Sequence, residues 1–482
     1  MGAPLYISVD LGAGSGRVFL VSFESDRLLL EEIRRFQYPP REVDGRLSWD
    51  FKLIFENISL GIEAAKVRAR DLDREIVSVG VDSWAVDYGL LNARGDLISD
   101  PICYRDRRTE GIPDQVFERI SKQEIFKRTG IQFLDFNTLY QVYADMDRVA
   151  EVETLLLLPD LINYRLCGMK AAEFTNATTT QMLNVETRAW DREILTRLDI
   201  KASLLPEIVE PGTSRGTLSN SEISVVSVAS HDTASAVAAA PLSSTSAYIS
   251  SGTWSLVGVE IEEPLVNEQA AEANFTSEGG VFGTTRFLKN VMGMWLVERC
   301  RKEWEAEGIE TSYDELIDAA FVRNDPSAVI FPDDPRFVNP PSMLDAIANQ
   351  LAETGQKFNG DPSSVAKLIY DSLAFRYASV LRTAERLTGI DVSRIEILGG
   401  GGRNRYLNQM TANATGLSVR AGLFEATVVG NALVQAIAAG QFPDLADARR
   451  HVERVTSFNE FTPIAVNPDQ ADRYDEIERH YI

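Results

Sequence analysis

Cysteine and histidine are scarce, with three of each in 482 residues. Cys103, Cys167 and Cys300 form no CxxC and lie near no histidine at ligand spacing, so neither a disulfide framework nor a structural zinc site is expected. Basic residues are also short. Forty-eight Lys and Arg face 71 Asp and Glu, and the formal charge of -23 repels nucleic-acid phosphates and anionic lipid headgroups, excluding both as partners. No apolar run approaches the roughly 20 residues that span a bilayer, and the opening MGAPLYISVD lacks a basic leader, which predicts a cytoplasmic protein. Low-complexity tracts are missing too. What remains is an ordinary globular composition, 44% hydrophobic and 25% charged, in a chain longer than one core can grow. Two domains are expected.

The opening YISVDLG, GAGSGR, VFLVSF reads as strand, glycine-punctuated turn, strand. Further strands are expected in REIVSVGVDSW, SVVSVAS, SAYISSGTWSLVGVE and SRIEILGG, each dense in Val, Ile and small residues. Apolar residues recur every three or four positions in LIFENISLGIEAAKVRA and in SSVAKLIYDSLAFRYASVLRTAERLTG, which predicts helices. Alternation of the two types places the fold in the α/β class. SSGTWSLVGVE echoes DLGAGSGRVFLV, and the Ala- and Ser-rich stretch near 236 to 248 is the best boundary, giving halves 1–240 and 241–482. FPDDPRFVNPP, around 331 to 341, reads as a surface loop or a lid.

Several short blocks could carry chemistry. In DLGAGSGR, Gly12, Gly14 and Gly16 permit close backbone approach, Ser15 and consecutive amides can face phosphate oxygens, and Asp10 could hold hydrated Mg2+. The block lacks a GK[ST] ending and leads into a strand, so it is neither a Walker loop nor a dinucleotide fingerprint. Ser251, Gly252 and Thr253 form a second such turn, and two phosphate turns fit an ATPase in which related halves grip one nucleotide. SVVSVASHDTASAV runs from strand to helix and puts Asp232 near the helix N-terminus, where it serves as a cap or as the base that takes a hydroxyl proton. His231 beside it could bind sugar hydroxyls or fill a structural role. Gly399 to Gly402, between a strand and a helix, could admit an adenosine or simply link the two. Asp82, Trp84 and Asp87 offer acceptors and an aromatic face for a sugar, with core filling the alternative for Trp84. Asn290 could bind ligand or cap a helix.

Taken in order, DLGAGSGR, DSWAVDYGLL, YRDRRT, GIQFLDFNTLYQ, NATTTQ, SHDTASAV, SSGTWSL, LKNVMGMWL and LGGGGRN resemble the FGGY carbohydrate kinases across almost the whole chain. The resemblance implies two actin-like (ribonuclease H-like) ATPase domains with an interdomain catalytic cleft. It also implies transfer of the ATP γ-phosphoryl group, with Mg2+, to the 1-hydroxyl of L-rhamnulose, by a monomer or homodimer. Other ketoses and polyols, a non-kinase actin-like ATPase and a silent sugar sensor are the rival readings. By motif, Ala13, Gly14, Ser15, Gly16 and Arg17 would bind ATP phosphates and Thr253 would meet them, with Gly400 by the adenosine. Asp232 would be the base. His231, Thr233, Ala85 and Asn290 would face the ketose. Two positions depart from the pattern: Arg107 stands where a smaller polar residue is expected, and Glu298 where a Gln is expected near the nucleotide.

Overall fold

The computed structural model describes residues 2–149, 152–323 and 328–482. Its contacts divide the chain into two compact units. Unit 1 comprises Met1–Pro241, Glu260–Phe287 and Glu425–Thr456, and unit 2 comprises Leu242–Val259, Leu288–Phe424 and Ser457–Ile482.

In unit 1 the sheet is built from β1 (Leu5–Gly12), β2 (Ser15–Phe23), β3 (Leu28–Gln37), β4 (Ile76–Ser83), β5 (Ser214–Thr217) and β6 (Ser224–Val226), in the order β5-β6-β4-β1-β2-β3. β1 runs antiparallel to β2 and parallel to β4, and β6 runs parallel to β4. A strand buried on both faces has no need to alternate, and β1 is a run of buried residues until its last. Helix Phe51–Asp71 covers this sheet. Asp50 caps it by accepting from Leu53 N at 3.0 Å, and Phe51, Ile54, Ile58, Ile62, Ala65 and Ala69 form its buried stripe. Gly61 lies on the same stripe, where a Cβ would come 2.6 Å from Val18.

The second sheet repeats the plan with β7 (Ser246–Ser251), β8 (Trp254–Ile261), β9 (Thr285–Met292), β10 (Arg394–Leu398), β11 (Ser418–Ala421) and β12 (Asn459–Phe461), ordered β9-β8-β7-β10-β11-β12, and adds Thr276–Gly279 as a seventh strand beyond β9. Again a hairpin, β7 against β8, is followed by parallel neighbours, β10 and β11, and by an antiparallel last strand. The two sheets share one strand topology, so the Gly12 and Gly252 echo marks a structural duplication. Helix Pro362–Thr388 has Asp361 as its cap and Pro362 at its first position, and it stops at Gly389, whose φ of 73° suits glycine.

Most sequence-based elements match. The strand expected through SVVSVAS is short, because only Ser224–Val226 pairs before the chain turns toward helix Asp232–Ala239. The 331 to 341 segment contains only a short 3-10 turn, Pro335–Phe337. All three cysteines are free, and among the described residues no helix is long and apolar enough to cross a membrane.

Candidate active site

Unit 1 collects an acidic cluster from segments far apart in sequence. Asp10 lies near the end of β1, opposite Arg17 on β2 and Asp82 on β4. Arg17 is held between Asp10 and Glu425, so its guanidinium is shared by two carboxylates. Burial would lower the Arg17 pKa, but the two carboxylates outweigh it and hold it above the usual arginine value. Asp82 is fully buried, accepts from Asn431 Nδ2 at 2.5 Å through Oδ2, and has no partner for Oδ1. Burial raises its pKa well above the carboxylate range, and neighbouring Asp10 and Asp232 add to the shift. Asn431 is itself fixed by Gln435, which also binds Ser78 and the Ile7 carbonyl.

Asp232 is the first residue of helix Asp232–Ala239, with His231 at the cap position. Its Oδ1 accepts from Thr233 N at 2.6 Å and Thr233 Oγ1 at 3.3 Å, and His231 Nε2 stands 3.5 Å away. Among the described residues Oδ2 receives no protein hydrogen bond. Burial pushes the Asp232 carboxyl up, His231 opposes this, and Asp10 adds to it. The far side of the His231 ring meets Arg286 Nη2 at 3.1 Å and Glu278 Oε2 at 3.4 Å. Arg286 and Glu278 pair at 3.0 Å, and Arg286 holds the Glu278 carboxyl down against the effect of burial.

Glu173 braces the same junction from behind. Its buried carboxylate accepts from Thr175 N and Oγ1, Asn176 N, and Ser230 N and Oγ, at 2.7 to 3.2 Å. Glu173, Glu278, Arg286, Glu425 and Asn431 are absent from the sequence-based site. Of these only Glu425 and Asn431, in GLFEATVVGNALV, carried a local signal, a charge or amide inside a mainly apolar run that a buried partner must explain.

The turn between β1 and β2 leaves Ala13 and Ser15 exposed, while Gly16 is buried where a Cβ would lie 2.5 Å from the Phe36 ring. Gly14 has a φ of 141°, open only to glycine, and the Tyr38 hydroxyl donates to the Gly12 carbonyl at 2.7 Å, 2.9 Å from that of Ser15. These contacts draw the turn's carbonyls inward.

Two residues expected to face a sugar also hold protein contacts. Asp87 Oδ2 accepts from Trp49 Nε1 at 2.7 Å, Trp84 Nε1 at 2.9 Å and Tyr104 N at 3.2 Å, so this carboxylate orients two indoles. Trp84 is 7% exposed, stacks on Tyr38 and meets the Trp49 ring at a tilt of 52°. Ala85 is half-buried beside them, followed by Val86 at a φ of 70°, a strained geometry for a β-branched residue. Arg107 is exposed, with Glu110 at 3.7 Å.

Unit 2 assembles its own turn cluster. Gly252 and Thr253 are exposed between β7 and β8, and their carbonyls accept from Met294 N at 3.0 Å and Trp295 N at 3.2 Å. Gly293 packs so closely that a Cβ would lie 2.8 Å from the Gly252 carbonyl. After β10, Gly400–Arg403 makes a 3-10 turn in which Gly400 is exposed and open, and a Cβ on Gly401 would overlap Ser251. Asn290 lies within β9 and not at a helix start, which removes its capping role. Glu298, on helix Trp295–Ala306, accepts from Tyr313 Oη at 2.6 Å and Arg301 Nη1 at 3.3 Å.

Two glycine-bearing hairpins heading duplicated sheets, the first beside a buried acidic cluster, define a two-unit α/β fold. The N-terminal domain model of the FGGY family of carbohydrate kinases matches residues 5–237, and the C-terminal domain model matches 247–439. The rhamnulokinase of Bacteroides thetaiotaomicron is 40% identical over 471 residues, 95% of this chain and 96% of that protein. That of Oceanobacillus iheyensis is 37% identical over 469 residues, 95% and 97%. Among solved structures, ligand-bound xylulose kinase from Lactobacillus acidophilus aligns at a TM-score of 0.78 and 17% identity, covering 99% of this chain and 97% of that one. Plasmodium falciparum glycerol kinase with ADP aligns at 0.78 and 14%, covering 100% and 98%. The chain belongs to the FGGY family of carbohydrate kinases and is an ATP-dependent sugar kinase of that two-domain fold.

Proposed function

We propose that the chain phosphorylates the 1-hydroxyl of L-rhamnulose from ATP, with Asp232 as the general base. The observation that carries the reading is the asymmetry of its carboxylate. Two Thr233 donors and the His231 ring gather on Oδ1, and Oδ2 is left to accept the hydroxyl proton. Proton removal makes the sugar oxygen a better nucleophile toward phosphorus, and most of the remaining acceleration comes from alignment and charge neutralisation. Sugar identity rests on the two rhamnulokinases similar over nearly the full chain.

His231 and Thr233 flank the base and would orient the ketose. Residues 1–240 would carry the sugar and, at Ala13 to Arg17, the first phosphate contacts. Residues 241–482 would carry the nucleotide, with Thr253 on phosphate and Gly400 by the adenosine. The open space at Gly400 and the lack of any side chain at Gly14 fit close approach by a ligand. Asp10, beside the buried and unpartnered Oδ1 of Asp82, is a hard oxygen donor that would hold Mg2+ through water. Among the described residues no three His, Cys, Asp or Glu form a metal cage, so most of its ligands would be water and phosphate. When bound, the ion would neutralise phosphate charge. The acidic, cysteine-poor composition supports a cytoplasmic location.

Asp232→Asn tests the assignment. ADP release coupled to L-rhamnulose is expected to fall by about 10²-fold or more with the fold retained, and near-normal turnover rejects the base. A panel adding L-fuculose, xylulose, gluconate and glycerol tests the sugar, and sugar-independent ADP release would favour a simple ATPase.

A further inference from the structure

We infer that Arg286 and Glu278 are positioning residues that set the tautomer of His231, placing its proton on Nε2 so that it donates to Asp232. This rests on Asp232 being the base, though the proton's location can be read without any turnover.

Two groups compete for His231 Nδ1: Arg286 Nη2 at 3.1 Å and Glu278 Oε2 at 3.4 Å. A guanidinium has donors only and does not lose its proton in a protein. The nearer neighbour therefore presents N–H to Nδ1, which must offer a lone pair. A proton on Nδ1 would face the guanidinium N–H at 3.1 Å. With Nδ1 occupied as an acceptor, a neutral ring carries its hydrogen on Nε2, 3.5 Å from Asp232 Oδ1. That distance is longer than a formed hydrogen bond, and catalytic contacts of this kind tighten once ligands bind.

Arg286 is held in place for this role by burial and by two contacts. Its side chain is fully buried, its Nε donates to the Gly279 carbonyl at 3.1 Å, and Glu278 neutralises it at 3.0 Å. Glu278 thus keeps the arginine in place and supplies the counter-charge a buried cation needs. The charged groups around His231 are Asp232 on one side and Glu278 and Arg286 on the other, and Asp10 acts on Asp232 electrostatically from β1. The opposite tautomer would point a lone pair at the carboxylate and take one donor from Oδ1.

The full chain labelled with [15N]histidine tests this by long-range 1H–15N NMR, which distinguishes protonated from bare ring nitrogens. Only His231, His451 and His480 contribute, and a His231→Asn variant assigns the signal. The expected pattern at neutral pH is bare Nδ1 and protonated Nε2. Protonated Nδ1 in the unaltered protein overturns the inference. In Arg286→Met, Nδ1 faces only Glu278 and should gain a proton, with kcat falling about tenfold and the KM for ATP little changed. Arg286→Gln keeps an N–H donor and should restore the original pattern. An unchanged pattern in the Met variant also overturns it, and if that variant does not fold, the unaltered spectrum decides. Should Asp232→Asn keep turnover while the Nε2 proton is seen, the base fails and the tautomer stands.

Discussion

Replacing Gly430 by alanine adds one methyl where helix Ala426–Ala438 crosses helix Asp232–Ala239. By helix propensity alone, Gly to Ala in a helix interior stabilises by about 1 kcal/mol. Here the new Cβ would lie 1.7 Å from the Ser235 carbonyl oxygen and 2.6 Å from its carbon. Contact needs about 3.5 Å, so the helices must part by nearly 2 Å, and the obstacle is backbone that has no rotamer to change. Parting them opens the cluster of Val228, Ala229, Ala234, Ala238, Val281 and Val434. Overpacking typically costs about 1 to 3 kcal/mol and this geometry sits at the upper end, so the net loss should be about 2 kcal/mol after the propensity gain. At about 2.1 cal/mol/K of unfolding entropy per residue, a unit of this size shifts by roughly 1.6 °C per kcal/mol, so Tm should fall by about 3 °C. Ser235 Oγ donates to the Ala229 carbonyl at 2.7 Å, so the push reaches the segment carrying His231 and Asp232, and kcat should drop as well. Calorimetry with steady-state assay reads both. An unchanged or raised Tm would mean the helices are not in contact at Gly430, and the argument would fail.

Two further outcomes follow from burial. The Asp87 pKa is pushed up to about 6 by burial, against the pull of Trp84, Trp49 and Arg108. Between about pH 4 and 6 the unfolded chain releases this proton while the folded one keeps it, so stability falls as pH rises through that window, by up to about 3 kcal/mol. Asp87→Asn should remove that portion of the pH dependence in denaturant titrations, and an identical profile would refute the buried proton. Burial likewise lowers Lys289 to about 8, with Arg376 adding to the effect and Asp333 and Glu478 opposing it. Competitive acylation followed by mass spectrometry should find Lys289 reacting with a midpoint near pH 8, well below exposed lysines, and a midpoint near 10 would contradict it.

Local sequence carried much of this. The hairpin around Gly12 to Gly16, its counterpart around Gly252 and the helix after His231 follow from turn chemistry and hydrophobic spacing, which act over a few residues. Roles that depend on distant partners were not readable. The tie of Asp87 to Trp49 spans 38 positions, and that of Asp82 to Asn431 spans 349.

The sequence by itself determined the α/β class, the duplicated hairpins and Asp232 at a helix start, since each is encoded by neighbours along the chain. Only the tertiary structure decided which charges meet. Arg17 is claimed by Glu425 across 408 positions, and His231 by Arg286 across 55. Electrostatic pairing depends on distance in space, and a linear pattern holds that distance only within one element.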